Sequence, residues 1–173
     1  MRDKYEMQLR KLHAEMIEMG TMIEQAIETA IKALVAQDTE LAKKAIESDD
    51  AIDHQEREIE NLCLKLFLTQ QPVAGDMRKI SAALKMITDM ERIGDHASDI
   101  SELTLCMAGT PYIKKLEHIQ QMAKETIVML VSSIEAYVNA DVKKAKSVIE
   151  HDDIVDDLFD KVKNELITMI HEN

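Results

Sequence analysis

The chain has 173 residues, 46% of them apolar and 31% charged, so it can bury a core and is not a disordered polymer. Three Tyr, two Phe, no Trp, four Gly and two Pro are too few for the strands and turns of an antiparallel β architecture, whereas abundant Ala, Leu, Glu, Lys and Met favour helices. With 21 Lys and Arg against 33 Asp and Glu, the net charge of −12 argues against free nucleic acid and anionic membrane surfaces as ligands, and for cations and basic protein surfaces.

The first element is read from an apolar seam. Tyr5, Leu9, Leu12, Met16, Met19, Ile23, Ala26, Ala30 and Leu34 recur at alternating steps of three and four, one face of a long helix. Asp38 is then a good N-cap for a second helix. Its seam reads Ala42, Ala45, Asp49, Ile52, Glu56, Ile59, Cys63 and Leu66, and it ends before Pro72 and Gly75. A third helix carries Ile80, Leu84, Ile87, Glu91, Gly94, Ser98, Ser101 and Leu105, and stops at Gly109 and Pro111. These three make a helical bundle over residues 1–108.

A shift of 103 residues superposes the chain on itself without a gap. Asp38, Ala42, Lys43, Ile46, Asp49 and Asp53 meet identical residues at Asp141, Ala145, Lys146, Ile149, Asp152 and Asp156. The fold class is therefore all-α, with tandem three-helix bundles, the second spanning residues 112–173. Only two helices of that second copy are present, so its bundle is expected to be incomplete. A seam such as Ile119, Met122, Leu130 and Tyr137 is then left partly uncovered. Exposing such side chains costs roughly 1.5–3 kcal/mol each. Either the sequence is a fragment or another chain covers that face.

Carboxylates stand where apolar residues are expected. Asp49 and Glu56 lie in the seam of the second helix, Glu91 in that of the third, and Asp152 repeats Asp49. Asp49 and Asp53 are one turn apart, as are Asp152 and Asp156, and Glu91, Asp95 and Asp99 form a ladder of fours. Carboxylates facing a core must be protonated, paired or bound to a cation. Two readings stay open. A multivalent cation bridges the ladders, or Arg57, Arg78, Arg92 and lysines neutralise them. An all-oxygen set, with His96 a possible nitrogen neighbour, suits magnesium, manganese, iron or zinc. His13, His54, His118, His151 and His171 read as surface or helix-end residues, and Cys63 and Cys106 as inert core thiols of a reduced protein.

Other chemistry is missing from the sequence. There is no Glu-x-x-His pair of a di-iron oxidase, no GxxxxGK loop, no HExxH and no Gly-x-Ser-x-Gly elbow. The N-terminus lacks the apolar core of a signal peptide, and the longest apolar run is too short to span a bilayer. A cytoplasmic location is expected, with no membrane insertion.

The stretch QQPVAGDMRKISAALKMITDMERIGDHASDI, residues 70–100, resembles the signature of the PhoU family, and ESDDAIDHQEREIENL, residues 47–62, is similar to that family's second helix. The resemblance covers the whole chain, without the second ERIGD-type helix with which the family's proteins end. It implies a dimeric regulator of phosphate uptake and a negative regulator of the phosphate-starvation response. It would link the ATPase subunit of the phosphate ABC transporter to a sensor histidine kinase. The family's acidic motifs bind metal ions, in some members as multinuclear iron or zinc clusters. Position by position they fall on Asp49 and Asp53, on Glu91, Asp95 and Asp99, and on Asp152 and Asp156. In the second copy Phe159 replaces the equivalent of Glu56, which weakens a site there. The expected function is that of a metal-binding adaptor, not an enzyme, with an acidic or metal-bearing face turned to basic patches on its partners. The alternatives are a carboxylate-bridged metalloenzyme and a purely structural helical spacer.

Overall fold

The computed structural model describes residues 2–69 and 71–172. Among them the chain forms six helices: α1 (Arg2–Ala36), α2 (Thr39–Glu47), α3 (Asp49–Thr69), α4 (Ala74–Met107), α5 (Glu117–Val138) and α6 (Val142–His171). The expected second helix is two pieces, α2 and α3, separated at Ser48. The Ser48 hydroxyl donates to the Ala45 carbonyl at 2.7 Å, a local bond that competes with the helical ladder. His151 occupies the equivalent place in the second copy, and α6 runs through it without a break.

The core follows the apolar seam. Leu12, Met16, Met19 and Ile23 of α1 meet Ile52, Ile59, Cys63 and Leu66 of α3 and Ile80 and Ile87 of α4, all of them buried. The buried face of α4 is rotated from the expected one. Ala83, Met90, Ala97 and Thr104 lie inside, while Leu84, Glu91, Ser98 and Leu105 sit at its edge. That follows from α4 packing against α1, α2 and α3 together. Gln55 ties α3 to α1 by donating to the Glu15 carbonyl at 3.0 Å and to its carboxylate at 2.8 Å.

Both copies turn between their first two helices in the same way. Gln37 (φ 51°) and Ala140 (φ 52°) take the left-handed conformation after α1 and α5. The following amides, Asp38 and Asp141, donate back to Ala33 and Ala136 at 3.0 and 2.8 Å, a Schellman closure. Their carboxylates then cap the next helix, accepting from Leu41 and Lys144 at 3.0 and 2.9 Å. Shared turn geometry is the structural mark of the duplication.

The α5 seam is better covered than the sequence suggests. Leu130 and Ile134 are buried in one apolar cluster with α1 and α4. Gly20 makes room for this, since a Cβ there would stand 2.3 Å from Ile134 Cδ1. Tyr137 seals the lower end, its hydroxyl donating to the Lys79 carbonyl at 2.8 Å and its ring meeting His13 edge-on at 5.4 Å. The uncovered apolar residues lie on α6 instead, which packs on α5 and presents Ile149, Phe159 and Ile170 outward. Cys63 is buried and its thiol is pushed up to about 11 by burial, but Cys106, expected in the core, is exposed.

Left-handed backbone at a residue with a Cβ costs about 1–2 kcal/mol relative to glycine. Ala140→Gly should therefore raise the unfolding free energy by about 1 kcal/mol in a denaturant titration. Gln37→Gly relieves the same strain, but loses the two bonds its side chain donates to the Met107 and Thr110 carbonyls, at 3.3 and 2.7 Å. Each is worth roughly 0.5–1.5 kcal/mol, so this variant should gain nothing or lose stability.

Candidate metal centre

Asp49 and Asp53 project from the first turns of α3, where the positive end of the helix favours carboxylates. Glu91 and Asp95 project from the middle of α4, one turn apart. What brings the two rows together is Gly94. A Cβ there would stand 3.2 Å from both Cδ1 and Cγ2 of the buried Ile52, so α3 and α4 meet nearly backbone to side chain at this level. Ile52 lies between Asp49 and Asp53 in sequence, and Gly94 adjoins Asp95. Close packing of the one pair therefore forces the other residues to face each other.

One oxygen from each of Asp49, Asp53 and Asp95 lies within 4.8 Å of the others. Oδ1 of Asp49 and Oδ1 of Asp53 are buried and accept no hydrogen bond. Burial, then the charges of Asp95 and Asp53, push the Asp49 carboxyl up to about 6, and its protonated form shares a hydrogen bond with Asp95. Glu91 is pushed up to about 7, first by burial, then by its hydrogen bond with Asp95 and the charges of Asp95, Glu56 and Asp53. Glu56 is raised as well, by burial and by Asp53 and Glu60, with Arg57 partly opposing. Five acids thus share one half-buried place.

The structure separates the other candidates from this cluster. Asp99, the end of the α4 ladder, has a side chain 67% exposed and pairs with His96 at 3.5 Å. One further turn carries it past the contact with α3. His96 is 70% exposed and turned to Asp99, so it is not the nitrogen neighbour the sequence suggested. Asp152 and Asp156 lie exposed on α6, where no second row of carboxylates faces them among the described residues. The arginines invoked as neutralisers are mostly occupied elsewhere. Arg92 pairs with Asp89 at 3.4 Å and Arg78 lines the groove beside Tyr137. Arg57 reaches only Glu56 among the raised acids. The sequence reading placed Gly94 in the seam and missed its part in the site. A glycine inside a helix, directly before Asp95, was the available signal.

Oxygen donors at this spacing, two of them buried without a partner, fit a hard cation. Asp49, Asp53 and Asp95 would hold it, with Glu56 and Glu91 at its edge. A bound ion would supply the positive charge that a desolvated carboxylate cluster lacks.

Asp49 and Glu91 have folded values above their unfolded ones, so folding binds protons between about pH 4 and 7. Their contribution to the stability of the metal-free protein is full below pH 4 and is lost as pH rises through 6 to 7. The melting temperature of metal-free wild type should therefore fall between pH 5 and 7.5 relative to Asp49→Asn/Glu91→Gln, which lacks both titrations. Gly94→Val should push α3 away from α4, cost about 1–3 kcal/mol, and weaken this pH dependence in the same thermal scans.

The PhoU domain family model matches residues 16–104 and 119–173. A phosphate-specific transport system accessory protein PhoU homolog of Clostridium acetobutylicum is 38% identical over 98% of this chain and 78% of its own length. The Escherichia coli protein of that description is 29% identical over 98% of this chain and 70% of its own. The crystal structure of PhoU from Pseudomonas aeruginosa superposes with a TM-score of 0.90 at 27% identity, covering 98% of this chain and 81% of that one. The phosphate transport system regulatory protein PhoU from Streptococcus pneumoniae gives 0.89 at 25%, with 98% and 80% covered. By its sequence, its duplicated helical architecture and these relatives, the chain belongs to the PhoU family.

Proposed function

We propose that this chain is an accessory regulator of phosphate transport whose α3–α4 carboxylate centre binds a metal ion. The observation that carries the metal reading is the pair of buried, unpartnered oxygens of Asp49 and Asp53 beside Asp95. Leaving such groups unpaired costs about 1–3 kcal/mol each, more when charged, and a cation removes both that cost and the mutual repulsion. Iron, zinc, manganese and magnesium are the candidate ions.

The regulatory reading is supported by the named role of the relatives as phosphate transport accessory and regulatory proteins. In it the chain works in the cytoplasm as a homodimer and as a negative regulator of the phosphate-starvation response. It couples the ATPase subunit of the phosphate ABC transporter to a sensor histidine kinase and performs no catalysis of its own. Among the described residues no helix is long and apolar enough to cross a membrane.

Metal content of mildly purified protein and thermal scans with added ions test the centre. At an ion concentration one hundred times the dissociation constant, stabilisation is about 2.7 kcal/mol, or about 5–10 °C for a chain of this size. Wild type should gain that shift. Asp49→Asn/Glu91→Gln should lose bound metal and most of the shift. Equal metal content and equal shifts in both proteins would refute the assignment.

A further inference from the structure

Two features meet at the lower end of the bundle. Charge is the first. The start of α1, the end of α3, the start of α4 and the α5–α6 turn converge there, joined by the Tyr137 contacts to Lys79 and His13. The segments 3–13, 64–68, 71–80 and 135–146 contain nine of the 21 Lys and Arg but only five of the 33 Asp and Glu. Three of those five acids serve the fold. Asp76 is buried and accepts from the Val73 amide at 3.3 Å, Asp141 caps α6, and Glu135 pairs with Lys144. In a chain of net charge −12, this end is basic.

Apolar exposure is the second. Leu68 in the last turn of α3 is 83% exposed, Val73 before α4 is 58% exposed and Met77 in its first turn 48%. Single exposed apolar residues are ordinary. Val73 and Met77 stand one turn apart, the Met77 amide donating to the Val73 carbonyl at 2.9 Å, Leu68 lies at the end of α3 that leads to them, and Arg78 and Lys79 are exposed beside Met77. Met and Arg at such a place are the residue types enriched in protein interfaces. The metal centre lies far off, since Asp95 is 18 residues beyond Met77 on α4, or about 27 Å along the helix axis.

We infer that the end of the bundle around Leu68, Val73, Met77 and Arg78 docks a protein surface with an acidic rim about an apolar recess. The inference rests on the proposed accessory role, which requires protein partners, and it assigns the docking end. A partner of this charge complements the basic end and is repelled by the acidic remainder, which fixes orientation as well as place. An anionic bilayer meets the same repulsion over a far larger area and lacks recesses for a narrow apolar end.

The test uses the full chain immobilised against the purified transporter ATPase subunit and against the cytoplasmic region of the histidine kinase. Vesicles of equal phosphatidylglycerol and phosphatidylethanolamine form a third arm. Leu68→Glu/Met77→Glu and Arg78→Glu alter exposed side chains and should leave the fold intact. Each should weaken binding to one of the two proteins tenfold or more and flatten its salt dependence, while Asp99→Asn, outside both places, binds as wild type. If wild type and every variant bind alike, the docking end is wrong and the functional reading stands. If wild type binds neither protein, the functional reading fails. A photo-crosslinking residue at Leu68 in cells then decides the docking end separately. A protein adduct abolished by Arg78→Glu upholds it. No adduct, or vesicle binding abolished by Leu68→Glu, overturns it.

Discussion

Packing of Ile52 against Gly94 places α3 and α4 so close that carboxylates on either side must share one half-buried space. Neither contact partner is polar, yet together they set the electrostatics of the site. Apolar burial at Ile52 stabilises the helix pair, and the same approach strips water from Asp49 and Glu91 and holds them beside Asp95 and Asp53. A bundle evolved for stability alone would place apolar residues here. The proposed shared cation would reconcile the packing with the charges.

The duplication explains why one site and not two is assembled in this structure. Asp152 and Asp156 repeat Asp49 and Asp53 in sequence, and the Asp141 cap repeats that of Asp38 in geometry. A metal centre of this kind, however, is a property of two helices. The row on α6 meets no facing row among the described residues, and its exposed Phe159 stands where α3 has Glu56.

Elements whose signal is local were legible in the sequence. Seam periodicity located α1, the caps located the starts of α2 and α6, and the ungapped repeat tied the hairpin of α5 and α6 to the first bundle. Seam position and four-residue spacing singled out Asp49, Asp53, Glu56, Glu91 and Asp95, but equally Asp99, Asp152 and Asp156, which the structure sets apart from them. Features set by three-dimensional packing were not legible. Ser48 separates α2 from α3, whereas its counterpart His151 lies inside an unbroken α6 and pairs with Glu125 on α5. Asp99 continues the α4 ladder in sequence but passes beyond the reach of α3, which only the crossing of the two helices determines. The packing of α5 on α1 likewise depends on Gly20 meeting Ile134, a contact between residues 114 positions apart.

In the proposed function two unlike surfaces are kept apart on one helical bundle, a carboxylate centre at mid-height and a basic, apolar end about 27 Å away. Anomalous diffraction from crystals soaked in manganese tests the central claim most directly. The account predicts a peak at about 2.0–2.4 Å from oxygens of Asp49, Asp53 and Asp95. Those oxygens turned to bulk water, or held by a guanidinium group with no peak between them, would contradict it.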